Sequence, residues 1–366
     1  MKKVAVVGGG ITGAYAGYFL ARSGIDTTII DPDNMENRAS NINPGGINPL
    51  HGPGIPGAMS TFAIESYRLH RSEWQQISEL SALQFDGRII SRIFVALTEE
   101  DEALLKESEK LYEAADSFTA QWYDSTQLQQ YDPRINRAAL GGLLTTGNGT
   151  VNAPLYRRAV LSAACNSGAK WLGAEVSGIV QKGDRITALR VGKDKLEFDD
   201  VVFATGPWVD FISTNLGVRV PIRPVKGEML VVKMQSGSLT HDITWRHNGI
   251  YQEKEDIYWL GGTLDESGLD CSPTDVGRDT VIENVSRIIP DLTECSIIRH
   301  VAGLRPMSID GLPIIGNLPG WSNAFIVGGA GSKGMLLSAL LGKTISRIVQ
   351  EVEPGVELSI ISMDRF

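Results

Sequence analysis

Five residues, Lys3-Val4-Ala5-Val6-Val7, run directly into Gly8-Gly9-Gly10-Ile11-Thr12-Gly13, and this junction constrains the chain more than any other segment. The run is short, apolar and rich in valine, as expected of a strand buried on both faces of a parallel sheet. Ile11, Tyr15, Tyr18 and Phe19 then recur at helical spacing towards Ser23, and Gly24 stands where a helix would stop. Ile25 to Ile30 reads as a second strand ending at Asp31-Pro32. Strand, glycine turn, helix and strand make one βαβ unit. Gly8, Gly10 and Gly13 fill the GxGxxG positions, which permit a tight turn and close backbone approach to a pyrophosphate at the helix N-terminus. Asp31 can accept hydrogen bonds from ribose hydroxyls. The fingerprint suits FAD and NAD alike, and the following Pro32-Asp33 offers no cation for a 2′-phosphate.

Length and texture set the wider organisation. A chain of 366 residues suggests about two domains. The stretch around residues 40–60 is rich in glycine and proline and reads as an irregular loop. Ala63 to Leu80 and Pro154 to Ser167 carry helical spacing, and Val176 to Phe203 reads as hairpins with turns at Gly183-Asp184 and Gly192-Lys193. Alternating apolar runs at Glu228–Lys233, Gly249–Gln252 and Ile257–Leu260 indicate an antiparallel sheet, a different texture from the parallel start. Met335 to Val349 reads as a closing amphipathic helix. A substrate-type domain is therefore expected inside a nucleotide-type domain that the chain leaves and re-enters.

Charge and cysteine count exclude several function classes. With a formal charge of -9, a broad basic surface for nucleic acid is not expected. Cys165, Cys271 and Cys295 form no CxxC pair, so neither a disulfide framework nor a metal site is expected. No run of eighteen apolar residues suggests a membrane span. Lys2-Lys3 with the valines after them imitates an export leader, but Gly8-Gly9-Gly10 interrupts it after four apolar residues. A cytoplasmic location is expected.

Three further segments carry a family resemblance. Asp200-Val201-Val202-Phe203-Ala204-Thr205-Gly206 resembles the strand and "ATG" turn of flavoproteins with two dinucleotide-binding domains. Ala302-Gly303-Leu304-Arg305-Pro306 followed by Asp310-Gly311-Leu312-Pro313-Ile314-Ile315-Gly316 resembles a signature of D-amino-acid-oxidase-like flavoenzymes, and Val327 to Met335 resembles their closing glycine turn. Together with the N-terminal fingerprint these span nearly the whole chain in the family's order, and the chain resembles the glycine oxidase, sarcosine oxidase and D-amino-acid dehydrogenase relatives.

The resemblance implies an α/β fold: an FAD-binding Rossmann-like parallel sheet of the two-dinucleotide-binding-domain type, with a second antiparallel-sheet substrate domain. The expected partition is 1–85, 145–215 and 300–366 for FAD, with 86–144 and 216–299 for substrate. It implies non-covalent FAD, because Met307 stands where sarcosine oxidases place a flavin-linking cysteine. The implied activity is oxidation of the C–N bond of glycine, a D-amino acid or an N-alkylglycine by hydride transfer to flavin N5. The imine product then hydrolyses, and O2 or a downstream acceptor takes the electrons.

Arg305 matches the arginine that binds the substrate carboxylate, a role suited to a planar bidentate fork. Lys333 resembles a lysine that assists carboxylate binding, with a solvent-facing lysine as the alternative. Tyr251 matches a pocket tyrosine, with Tyr258 as competitor, and His51 follows the flavin-edge loop. Cofactor contacts are expected from Gly8, Gly10, Ile11, Thr12, Gly13, Asp31, Ser40, Gly45, Gly46, Val176, Thr205, Gly206, Gly329, Gly331, Ser332, Lys333, Gly334 and Met335. A homo-oligomer is compatible with the sequence. Competing readings are a 2-hydroxy-acid oxidoreductase using His51 as base, because His70 is expected to face outward from its helix. A tRNA carboxymethylaminomethyl-uridine-modifying oxidase and a non-catalytic flavin-binding subunit are further alternatives.

Overall fold

The computed structural model describes residues 1–32, 37–234, 239–292 and 295–366, so Asp33 lies outside the described residues. Lys3–Val7 sits inside a six-stranded sheet. The order across it is Ile314–Asn317, Ala324–Gly328, Asp200–Phe203, Lys3–Val7, Asp26–Ile30 and Lys170–Leu172. Pairing is parallel throughout except at Ile314–Asn317, which runs against Ala324–Gly328. Strand alternation divides Lys3–Val7 between two cores. Val4 and Val6 pack with the helices Ile11–Arg22, Ala153–Asn166 and Gly334–Val349. Ala5 and Val7 pack against the meander Val176–Lys182, Arg185–Val191 and Asp194–Glu197 on the other face. Burial on both faces is why this strand carries no polar alternation.

The second sheet is larger. Its order is Cys295–Ser308, Ile222–Met234, Ile257–Gly261, Asn248–Lys254, His241–Trp245, Arg88–Ala96, Gly141–Thr150 and Gly46–Ile47, with Thr119–Asp124 also paired to Gly141–Thr150. It is antiparallel apart from the parallel pair His241–Trp245 and Arg88–Ala96, so the sheet is mixed. The helix Asp275–Ser286 covers one face through Val281 and Val285. The expected boundaries at 144/145 and 299/300 cut Gly141–Thr150 and Cys295–Ser308, both of which belong to this sheet. Long strands continue through these points because their ladder bonds are unbroken there, which no local composition shift announces. Among the described residues no helix is long and apolar enough to cross a membrane.

His70 corrects the outward expectation. Its helix, Ser60–Ser81, packs against both Ala153–Asn166 and Gly334–Val349, so the His70 face points inward and the ring is fully buried. Nδ1 lies 3.2 Å from the Tyr15 hydroxyl and 2.8 Å from that of Tyr156, while Nε2 lies 2.9 Å from the Leu336 carbonyl. Burial lowers its pKa to about 4, so it stays neutral and ties its own helix to three others.

Gly342 marks a close helix-on-helix contact in this core. A Cβ there would stand 2.4 Å from Tyr15 Cβ and 2.8 Å from the Ala16 nitrogen. Gly342→Ala should therefore push the closing helix off Ile11–Arg22 and cost about 1–3 kcal/mol by overpacking. Urea unfolding would measure this, and unchanged stability would show that the crossing relaxes freely.

Candidate active site

At the first glycine turn, backbone touches backbone. A Cβ on Gly8, whose φ is +107°, would lie 2.3 Å from the Ala204 carbonyl oxygen, and one on Gly13 would lie 2.0 Å from the Gly8 oxygen. Only glycine lets the strand Lys3–Val7, its neighbour Asp200–Phe203 and the helix N-terminus converge here. Ile11 N–H donates to Ser40 Oγ at 3.0 Å, which brings the flanking loop onto the helix N-terminus. Asp31 accepts from Gly9 N–H at 2.6 Å. It also accepts both arms of Arg38, at 2.8 and 3.0 Å, in a buried bidentate pair. The cation absent from Asp31's sequence neighbours is thus supplied seven positions later by the returning loop.

A cleft of about 430 Å³ runs from this turn to the second sheet. Gly8, Gly10, Ile11, Thr12, Gly13, Asp31, Ser40, Gly46, Val176, Thr205, Gly206, Gly329, Gly331, Ser332, Lys333, Gly334 and Met335 line it, so most of the expected cofactor contacts converge. Gly45 does not line it; its position is fixed by Val151, whose N–H donates to the Gly45 carbonyl at 3.1 Å. The Thr205 hydroxyl is buried without a hydrogen-bond partner at the cleft. These features fit an FAD. Backbone amides at Gly8–Gly13 would hold a pyrophosphate, Asp31 with Arg38 would stand towards the ribose, and the Gly329–Gly334 turn leads into a helix whose positive end would suit an electron-rich ring edge.

At the far end, three cations reach one cleft. Arg305, on the edge strand Cys295–Ser308, lies flat across its neighbour: a Cβ on Gly227 would meet its Cζ at 2.3 Å. Its Nη1 donates to the Thr263 carbonyl at 3.0 Å, and no carboxylate of the described residues comes within 4 Å. Burial lowers its pKa, yet a guanidinium stays charged. Lys333 lies along the loop after Asn48, with Nζ 3.5 Å from the Asn48 carbonyl and its stem against Gly52. Burial, then the charge of Arg92, lowers its pKa to about 7. Tyr251 lies over Gly249, and burial raises its phenol pKa, so it remains neutral. His51 does not line the cleft; its accessible ring packs on Phe94 at 5.5 Å, and its pKa is lowered by its packed surroundings, then by Lys333 and Arg92. Tyr258, the competitor of Tyr251, is fully buried and donates to the Glu255 carbonyl.

Sequence reasoning missed Arg92 and His247, which also line the cleft. Arg92 is a lone cation within Ile89-Ile90-Ser91-Arg92-Ile93-Phe94-Val95, and that interruption of an apolar strand was the available signal. Burial works against its charge, but Asp242, directly opposite in the parallel register, pairs with it at 2.8 Å and raises its pKa. Its guanidinium stands 5.6 Å from the Tyr251 ring, and its buried Nε has no partner. His247, in the turn between two strands, has its pKa lowered by burial and then by Arg305.

Fold and cleft together define a dinucleotide-dependent redox enzyme whose cleft is closed at its far end by the second sheet. Residues 3–348 match the FAD dependent oxidoreductase family, DAO, and the chain belongs to it. It is similar to a glycine oxidase of Pseudomonas aeruginosa, 24% identical over 97% of each chain. A D-amino acid dehydrogenase of Rhizorhabdus wittichii is also 24% identical, over the full length of both. The crystal structure of a glycine oxidase from Geobacillus kaustophilus superposes with a TM-score of 0.91 at 24% identity, covering both chains completely. The protein is an FAD-dependent oxidoreductase of the glycine oxidase and D-amino acid dehydrogenase type.

Two outcomes follow from this geometry. Gly13→Val should abolish FAD retention, read as flavin absorbance per chain after gel filtration, because the side chain meets the Gly8 carbonyl; full flavin occupancy would contradict the close approach. Lys333 is protonated below its lowered pKa and neutral above it. Affinity for a small dicarboxylate such as thiodiacetate, followed by flavin absorbance, should therefore fall as pH rises from 6 to 8.5. The slope should vanish in Lys333→Met, and a slope that persists there belongs to another group.

Proposed function

We propose that the chain oxidises the C–N bond of a small amino acid (glycine, a D-amino acid or an N-alkylglycine) whose carboxylate is held by Arg305. The observation that carries this reading is a desolvated guanidinium in the cleft whose fork contacts a backbone carbonyl and no carboxylate of the described residues. Such a fork binds a carboxylate bidentately. Bound FAD supplies the two-electron acceptor. The substrate would lose a hydride from carbon to that acceptor and a proton from nitrogen, and the resulting imine takes up water to give an oxo acid and ammonia or, from an N-alkylglycine, an oxo acid or aldehyde and an amine.

The protein's own part is placement and electrostatics. Arg305 fixes one end of the substrate, and the neutral Tyr251 phenol, lying over Gly249, offers a hydrogen bond beside it. Arg305, Arg92 and Lys333 make a cationic surround that disfavours an ammonium and lowers the pKa of a bound amine, as oxidation requires. No dedicated side-chain base is needed for that step. A 2-hydroxy acid is the second reading, favoured by one observation: His247 lines the cleft near Arg305 with a lowered pKa, as a neutral base for an alcohol would.

Anaerobic bleaching of the flavin by glycine, sarcosine, D-amino acids, proline and 2-hydroxy acids separates the two. On the amine that bleaches fastest, Arg305→Ala should lower kcat/KM by about 2–5 kcal/mol of transition-state stabilisation, with FAD content unchanged. Arg305→Lys should recover only part. An amine lacking the carboxylate should lose little in either variant; equal losses on both substrates, with flavin release, would make Arg305 structural.

A further inference from the structure

The cleft holds more positive charge than one carboxylate uses. Lys333 makes a single long contact, to the Asn48 carbonyl at 3.5 Å, which leaves two of its three donors without an acceptor among the described residues. No carboxylate of the described residues lies within 4 Å of it. Beside it, Arg92 is only 7% exposed, and its buried Nε is without a partner although Asp242 engages the other side of the fork. Donors left unsatisfied in a desolvated site are costly, and two on adjacent groups mark a place prepared for an acceptor. Asp242 pairs with Arg92, whereas the Lys333 ammonium faces no carboxylate of the described residues, and burial, then the Arg92 charge, lowers its pKa.

This second cationic point is separate from Arg305. The Arg305 head lies over Gly227 and near Gly262, across the strands Ile222–Met234 and Ile257–Gly261. The Arg92 head lies on Asp242 and reaches Tyr251, across His241–Trp245 and Asn248–Lys254. Tyr251, folded over Gly249, stands between them. With adjacent strands ~4.8 Å apart, the two heads are separated by on the order of 10 Å. Two carboxylates three or four covalent bonds apart, each with a charge-assisted hydrogen bond of ~2.8 Å at its outer end, span that gap. A single carboxylate does not.

We infer that the substrate is an amino or imino diacid, with one carboxylate on Arg305 and the second received by Lys333 beside Arg92. The inference rests on the amino-acid reading of the site and narrows it. Lys333 then acts as a specificity residue rather than as a second hand on the same carboxylate.

Binding of two inert analogues tests this without turnover. Thiodiacetate carries two carboxylates and (methylthio)acetate one, and both replace the reacting nitrogen with sulfur. Their dissociation constants are read from the flavin absorbance of the FAD-loaded enzyme at pH 6.5. Wild type should bind thiodiacetate at least tenfold more tightly than (methylthio)acetate. Lys333→Met should bring that ratio to within about twofold, and Lys333→Arg should restore most of it. Arg305→Met should weaken both ligands tenfold or more. A wild-type ratio near one, or a ratio unchanged in Lys333→Met, overturns the diacid inference and leaves the amino-acid reading standing. If Arg305→Met binds both analogues as wild type does, or wild type binds neither, the amino-acid reading falls and the diacid inference falls with it.

Discussion

Everything in the cofactor half depends on one contact without clearance, that between Gly13 and the Gly8 carbonyl. With 2.0 Å between that oxygen and the place a Cβ would occupy, the helix Ile11–Arg22 is seated as close to the sheet as a backbone permits. The seating carries through the molecule. Tyr15 and Ala16, on the same helix, receive Gly342 of the closing helix, and His70, Tyr15 and Tyr156 tie both to Ser60–Ser81 and Ala153–Asn166. The closing helix begins at Gly334, next to Lys333, so the position of a cleft-lining cation is set by packing that starts at the first turn.

The second sheet supplies the far wall of the cleft by a different device. Arg305 and Tyr251 are long side chains that lie flat, and each lies over a glycine, Gly227 and Gly249 respectively. A sheet face with side chains at those positions would force both heads upwards. The cost is electrostatic: Arg92 is compensated by Asp242, but Arg305 and Lys333 are desolvated with no carboxylate of the described residues against them. Lys333 has the clearest thermodynamic consequence. Its folded pKa lies below the unfolded value of 10.5, so between about 7 and 10.5 the unfolded chain holds more protons and stability rises with pH. At lower pH the charged lysine opposes folding, which is the behaviour of a residue kept for binding.

How much of this was legible in the sequence follows from what each element depends on. The strand at Lys3–Val7, the glycine turn and the helices at residues 60–81, 153–166 and 334–349 are written in local periodicity, and residue spacing located them. Arg305, Lys333 and Tyr251 came from motif resemblance, and they reach one cleft. Arg92 did not, because its role arises from a parallel pairing with Asp242, 150 positions away. Arg38 escaped for a similar reason: its partner Asp31 is near in sequence, but a loop of no regular pattern carries it back. His70 shows the opposite failure. Its helix was legible, but which face turned inward depended on two partner helices from distant parts of the chain.

The sign of the cleft differs from that of the molecule. A chain with formal charge -9 repels small anions at long range, although screening at physiological ionic strength limits that repulsion to roughly 8 Å. Inside the cleft the balance reverses, because Arg305 and Lys333 act at contact distance and in reduced dielectric, where each charge counts for far more than a surface residue. An anionic ligand would therefore be selected at the site rather than steered to it, with selectivity in dissociation more than in encounter. The same local field acts on the amine. On the function proposed above, a zwitterion would place its carboxylate against Arg305 and its ammonium within reach of the other cations, so the proton becomes the group the site rejects. Carboxylate capture and amine deprotonation are then two consequences of one charge arrangement, and weakening either cation should loosen both together.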